Sequence, residues 1–233
     1  MRNCLFYSII LCATAFPVSA QAGAMLDQSF DPSGYSQVYA DVKLDSGDYA
    51  QEAQSFQVGI GGRLTQADLL LQGTGYEVQG NLELQLRRTN ASGLPSDSPA
   101  DVLAVANLAE SAVPARQPGF VAFNFGPDAP LVKTGDLLSL VLIETVPGSG
   151  LVDWIGTSGN RYGLGQSLVK SHLFYHDNWA APDGFNGGLD LGFKTYVEPV
   201  PEPSSLLLAA SMAGACLWLR HRRCPRRPVT RVK

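Results

Sequence analysis

The chain has 233 residues and a formal net charge of -4, which conceals a strong polarity. From Gly23 to Glu198, nine Lys and Arg stand against twenty Asp and Glu, a net of -11, whereas all seven charged residues after Leu219 are basic. The acidic body speaks against nucleic acid as a partner, and the placement of all four cysteines (Cys4, Cys12, Cys216, Cys224) at the two ends leaves the body without a disulfide framework or thiolate chemistry.

Residues 1–20 read as a secretory signal peptide. Arg2 supplies the charged start, Cys4 to Phe16 the apolar middle, and Val18-Ser19-Ala20 the small-residue ending, so cleavage is expected after Ala20. The apolar run is too short to span a membrane. Leu11 before Cys12 does not fit a lipoprotein site.

Period-2 patterns dominate residues 25–197, which read as one domain. Strands are expected at 54–58 and 65–72. Leu82, Leu84 and Leu86 alternate with Glu83, Gln85 and Arg87, the mark of a strand with one buried face. Val121, Phe123 and Phe125 repeat the pattern, and 136–144, almost all apolar, reads as a central strand. Further strands are expected at 152–155, 173–175 and 189–197. Ala100 to Ser111 suits either a helix or a strand. Turn signals such as Gly61-Gly62, Ser92-Gly93-Leu94-Pro95 and Pro147-Gly148-Ser149-Gly150 separate the runs. Short strands at these spacings predict an all-β fold, an antiparallel β-sandwich of jelly-roll type.

The chemistry-bearing residues are sparse. His172 and His176 are four apart, but the intervening Leu173-Phe174-Tyr175 reads as strand, which sets them about 13 Å apart, too far for one metal ion. No G-x-S-x-G, H-E-x-x-H or phosphate-binding loop occurs. Asp45 and Asp48, in the turn Asp45-Ser46-Gly47-Asp48, are the calcium candidates, weighed against ordinary solvated acids. Aromatics crowd the later half. Trp154, between Val152 and Ile155, reads as core, whereas Tyr162 and Trp179, in polar stretches, are the candidate sugar contacts. No cofactor is expected, and no constellation points to an enzyme.

The C-terminal segment is the most specific part of the sequence. Pro201-Glu202-Pro203 is followed by Ser204-Ser205 and the apolar stretch Leu206 to Leu219, then Arg220, Arg222 and Arg223. This fourteen-residue stretch makes a helix of about 21 Å, and residues 204–219 are read as one short transmembrane helix whose arginines hold that end in the cytoplasm. Residues 199–227 resemble the PEP-CTERM sorting signal of Gram-negative bacteria. The resemblance implies recognition by an exosortase-type membrane protease, cleavage near Pro201 to Pro203, and passage from the inner membrane to the cell surface or extracellular matrix. The basic tail beyond Arg223 is longer than that pattern requires.

The body carries a second resemblance. Ala53-Gln54-Ser55-Phe56-Gln57-Val58-Gly59, Gly93-Leu94-Pro95-Ser96, Val121-Ala122-Phe123-Asn124-Phe125, Thr134-Gly135-Asp136 and Leu189-Asp190-Leu191-Gly192-Phe193-Lys194-Thr195-Tyr196 are similar to motifs of the choice-of-anchor β-sandwich domains. That resemblance implies the sandwich and interchangeable anchors, but no activity. The expectation for function is therefore an exported structural or adhesive protein, associated with exopolysaccharide. A carbohydrate-binding module and a secreted glycoside hydrolase stand behind it.

Overall fold

Alternating side chains set the strands, and the sequence of buried and exposed positions in the folded chain follows that alternation. The computed structural model describes residues 23–44, 49–74, 80–146, 151–182 and 188–200. In chain order the strands are β1 (Met25–Phe30), β2 (Gln37–Leu44), β3 (Tyr49–Gln57), β4 (Gly62–Gly73), β5 (Asn81–Arg88), β6 (Val102–Ala109) and β7 (Gly119–Asn124). They continue with β8 (Leu131–Val132), β9 (Leu137–Val146), β10 (Val152–Ser158) and β11 (Ser167–Ser171). A one-turn helix, α1 (His172–Tyr175), precedes β12 (Trp179–Ala180), β13 (Leu189–Leu191) and β14 (Phe193–Pro199).

Every ladder is antiparallel, and the parallel contact between Gly73 and Ala115 is an isolated bridge. In the first sheet β2 pairs with β10, β10 with β4, and β4 with β7. In the second, β3 pairs with β9, β9 with β5, and β5 with β6. β2 belongs to both: Gln37 to Val42 lie along β10, and Lys43 and Leu44 pair with Ala50 and Tyr49 of β3. The last strands extend this frame. β13 takes the stretch of β10 beyond its contact with β4, and β14 continues along β4, with β1 on its far side. β11 adds to the outer edge of β3 and carries β12.

The two sheets share one core. Leu64, Leu69, Leu71, Phe123, Trp154 and Phe193 of the first meet Phe56, Leu82, Leu84, Leu86, Leu138 and Leu140 of the second, all of them buried. Burial of each such side chain contributes about 1.5–3 kcal/mol. A smaller cluster of Ala53, Val141, Leu168 and Trp179, joined by Leu94 and Ile143, sits apart from that core. Trp154 is in the main core, and its indole Nε1 donates to the Gly192 carbonyl at 2.9 Å, a carbonyl that also accepts from Leu70 N at 3.0 Å.

Three expectations change. Residues 173–175 form α1 instead of a strand, because the Ser171 hydroxyl caps the turn by accepting from Phe174 N at 3.2 Å. The ambiguous 100–111 segment is mostly strand, β6, since Val102 and Ala104 to Ala109 pair along β5 after a short turn at Pro99–Asp101. The closing strand divides at Gly192, where it shifts from β10 to β4. Among the described residues no helix is long and apolar enough to cross a membrane. The signal segment 1–20 and the helix read at 204–219 lie outside the described residues.

Candidate functional site

At one end of the two sheets β2, β4, β6, β9 and β11 finish, and β3, β5 and β10 begin. The acids that the chain buries lie there. Asp41 of β2 and Asp153 of β10 are direct cross-strand neighbours, and their carboxyl groups share a hydrogen bond. Asp153 is 6% exposed. Burial first, then the bond and charge of Asp41, push its carboxyl from an ordinary 3.8 up to about 7. Glu52 of β3, 5% exposed, is pushed well above the usual carboxylate range by burial and then by Asp41.

A second carboxyl pair stands at the same end. Glu110, in the turn after β6, is 1% exposed and hydrogen-bonded to Glu144 of β9. Burial, then Glu144, raise it from 4.5 to about 7. Gly80 makes room for it, because a Cβ there would lie 2.6 Å from both Glu110 oxygens. A glycoside hydrolase needs its two carboxyl groups about 5–9.5 Å apart, with the scissile bond between them. Pairs in mutual hydrogen-bond contact leave no such gap.

The α1 loop completes this end, because Ser171 of β11 pairs with Ala50 of β3. His176 and Asp177 both adopt left-handed backbone, with φ of 50° and 63°. Two adjacent non-glycine residues in that region cost on the order of 1–3 kcal/mol each and persist only where neighbours hold them. Here the Tyr49 hydroxyl donates to the Asp177 carboxylate, His172 Nδ1 lies 3.2 Å from it, and Asp177 N donates to the Ser171 carbonyl at 3.1 Å. The Tyr49 ring stacks on His172 at 6.5 Å between centroids. Tyr49 and then His172 hold the Asp177 carboxyl below its ordinary range. At the tip, Phe174 is 76% exposed beside the exposed Leu173.

The sequence-derived site residues fall as follows. Tyr162 packs edge-on against Phe193 at 5.1 Å, and its hydroxyl donates to Gln28 at 2.9 Å. Trp179 is 8% exposed, in the smaller cluster, and its Nε1 donates to Asp97 at 3.1 Å. Asp97 also holds Lys170 at 2.9 Å, and Arg87 lies 3.6 Å away. The two rings thus belong to separate clusters and share no groove. His172 and His176 do not converge either, since His176 lies past the end of α1 in left-handed backbone. Among the described residues no group of three or more His, Cys, Asp or Glu is spaced to hold a metal ion. The calcium candidates Asp45 and Asp48, the motif Pro201, Glu202, Pro203, and Arg220, Arg222 and Arg223 lie outside the described residues.

The carboxyl pairs escape a reading by sequence because twenty acids make many chance pairs. One signal was present: Asp41 and Asp153 each interrupt an apolar run, Ala40-Asp41-Val42 and Val152-Asp153-Trp154. No protein-family model matches the chain, and no curated protein matches it in sequence.

Proposed function

We propose that the chain is an exported cell-surface or extracellular-matrix protein with a structural or adhesive, non-catalytic role, sorted through its C-terminal tail. The observation that carries this is the order of three features in residues 199–227: Pro201-Glu202-Pro203, the apolar run to Leu219, and Arg220, Arg222 and Arg223. The N-terminal segment 1–20 supplies the export signal, the partner is an exosortase-type membrane protease, and the domain is of the choice-of-anchor type. Its strands follow a jelly-roll; the orders β2-β10-β4-β7 and β3-β9-β5-β6 support that reading. The fused carboxyl pairs speak against glycoside hydrolysis. The test is removal of residues 199–233 from the gene. Full-length protein should reach the outer surface, where added protease digests it, and the truncated form should accumulate in the periplasm. Equal surface exposure of both forms sinks the sorting claim.

A second reading, a carbohydrate-binding module, is favoured by the exposed Phe174 beside the Tyr49–Asp177–His172 cluster. A ring face with a carboxylate and an imidazole next to it matches the apolar and hydroxyl faces of a sugar. Its contacts move from Tyr162 and Trp179 to the α1 loop. Retention of purified host exopolysaccharide by the wild-type chain, and its loss in Phe174→Ala, is the expected result; equal retention removes this reading.

A further inference from the structure

Where β2 turns from one sheet into the other, Asp41 acts on two buried carboxyl groups, Asp153 and Glu52. Asp41 and Asp153 face one another across β2 and β10 as direct register partners. Two carboxylates so placed repel one another, and a proton held between the two groups removes that repulsion. Glu52 stands on the strand into which β2 turns. It is 5% exposed, and its Oε2 has no hydrogen-bond partner. The charge acting on Glu52 is Asp41, and the same carboxyl acts on Asp153. The other neighbours in register are neutral: Gln72 of β4 beside Asp153, Leu142 of β9 and Val169 of β11 beside Glu52. The charge acting on Glu52 and on Asp153 is a carboxyl, and Lys43, two residues beyond Asp41, is the cation of β2.

We propose that Asp41, Asp153 and Glu52 form a proton-held latch at this corner, closed while protons sit on the cluster and released when they leave. Among the described residues, β2 meets β3 through the pairs Lys43–Ala50 and Leu44–Tyr49. Ionisation places two or three negative charges against one another in a half-dry site, and movement of β2 away from β10 and β3 is the motion that relieves them. Tyr49 heads β3 and holds Asp177, so release also frees the α1 loop with its exposed Phe174. The latch thus links acidity outside the cell to the order of the most exposed ring on this end. The direction follows from the raised carboxyl of Asp153. Its stabilisation is fully present below about pH 3.8 and is lost as pH rises through about 7. Glu52 acts in the same direction.

Hydrogen exchange of the full chain in detergent micelles, with rates corrected for intrinsic pH dependence, tests the latch. Between about pH 5 and pH 8.5, protection of 37–44 and 49–57 should fall tenfold or more (about one pKa unit of coupling suffices), while β14 holds constant. In Asp153→Asn and in Glu52→Gln the fall should shrink to about threefold or less. Asp41→Asn, at an exposed position, should do the same if the buried variants fold poorly. An equal fall in wild type and all three variants overturns the proposal. So does full recovery of protection at high pH on adding calcium alone, abolished by Asp41→Asn, which would make the corner a cation site.

Discussion

Gly165 is held to glycine by the closeness of two strands. Its backbone runs beside Ser55 of β3 so tightly that a Cβ would lie 1.8 Å from the Ser55 carbonyl oxygen and 2.5 Å from its carbon. Neither atom is the end of a flexible side chain, so Gly165→Ala must push the start of β11 off β3. The contacts at stake are Ser55 N to the Gln166 carbonyl at 2.9 Å, Ser55 Oγ to the same carbonyl at 3.2 Å, and Gln166 N to Ser55 Oγ at 2.9 Å. Three hydrogen bonds at about 1 kcal/mol each, with overpacking of about 1–3 kcal/mol, give an expected loss of roughly 4–6 kcal/mol. Because β11 leads into α1 and β12, the damage should extend to Trp179 and the His172 loop. Urea unfolding followed by tryptophan fluorescence measures the loss, and limited proteolysis locates it. A loss below about 1 kcal/mol with an intact 167–180 segment would refute the reasoning from this contact.

Other perturbations have separate signatures. Trp154→Phe removes one of two donors to the Gly192 carbonyl and should cost about 1–2 kcal/mol, whereas Trp154→Ala opens the core and should cost about 3–5 kcal/mol in the same urea assay. Glu110 is held protonated to about pH 7, so its contribution is present below about pH 4.5 and lost as pH rises through about 7. Glu110→Gln should therefore raise stability at pH 8 by about 1–2 kcal/mol and leave it unchanged at pH 4, read from thermal melts at both values. Tyr49→Phe removes the donor to Asp177 and should make the peptide after Ser171 an early protease site while the global unfolding midpoint stays unchanged.

The parts of the fold that show in the sequence are those where one face is buried and the other wet. Leu82, Leu84 and Leu86 of β5 and Val121 and Phe123 of β7 alternate cleanly and are strands. Trp154, between apolar neighbours, is core. Strands at edges or corners are harder to see. β1 has exposed Met25 and Leu26 and shows no simple alternation, whereas β2 does alternate, with Val38, Ala40 and Val42 inward and Gln37, Tyr39 and Asp41 outward, a pattern open to a reading by sequence. β11 and α1 are hard to read in the sequence because a single capping serine, Ser171, ends a strand and starts a helix within one residue. The polar setting of Trp179 in sequence suggested exposure, but Asp97, distant in sequence, reaches its indole nitrogen and lets the ring sit in a small apolar cluster. The candidate site was the least legible part. Carboxyl pairs depend on register between strands far apart in the chain, and composition carries no trace of register.

The central claim concerns destination, and one measurement addresses it directly: the intact mass of the protein recovered from the outer surface and medium of its host, with and without the exosortase-type protease. A species beginning near Gln21 and ending near Pro203, absent from the strain without the protease, is the predicted result. A species that keeps Trp218 and the arginines after it in both strains would contradict the account and leave the domain anchored at the inner membrane.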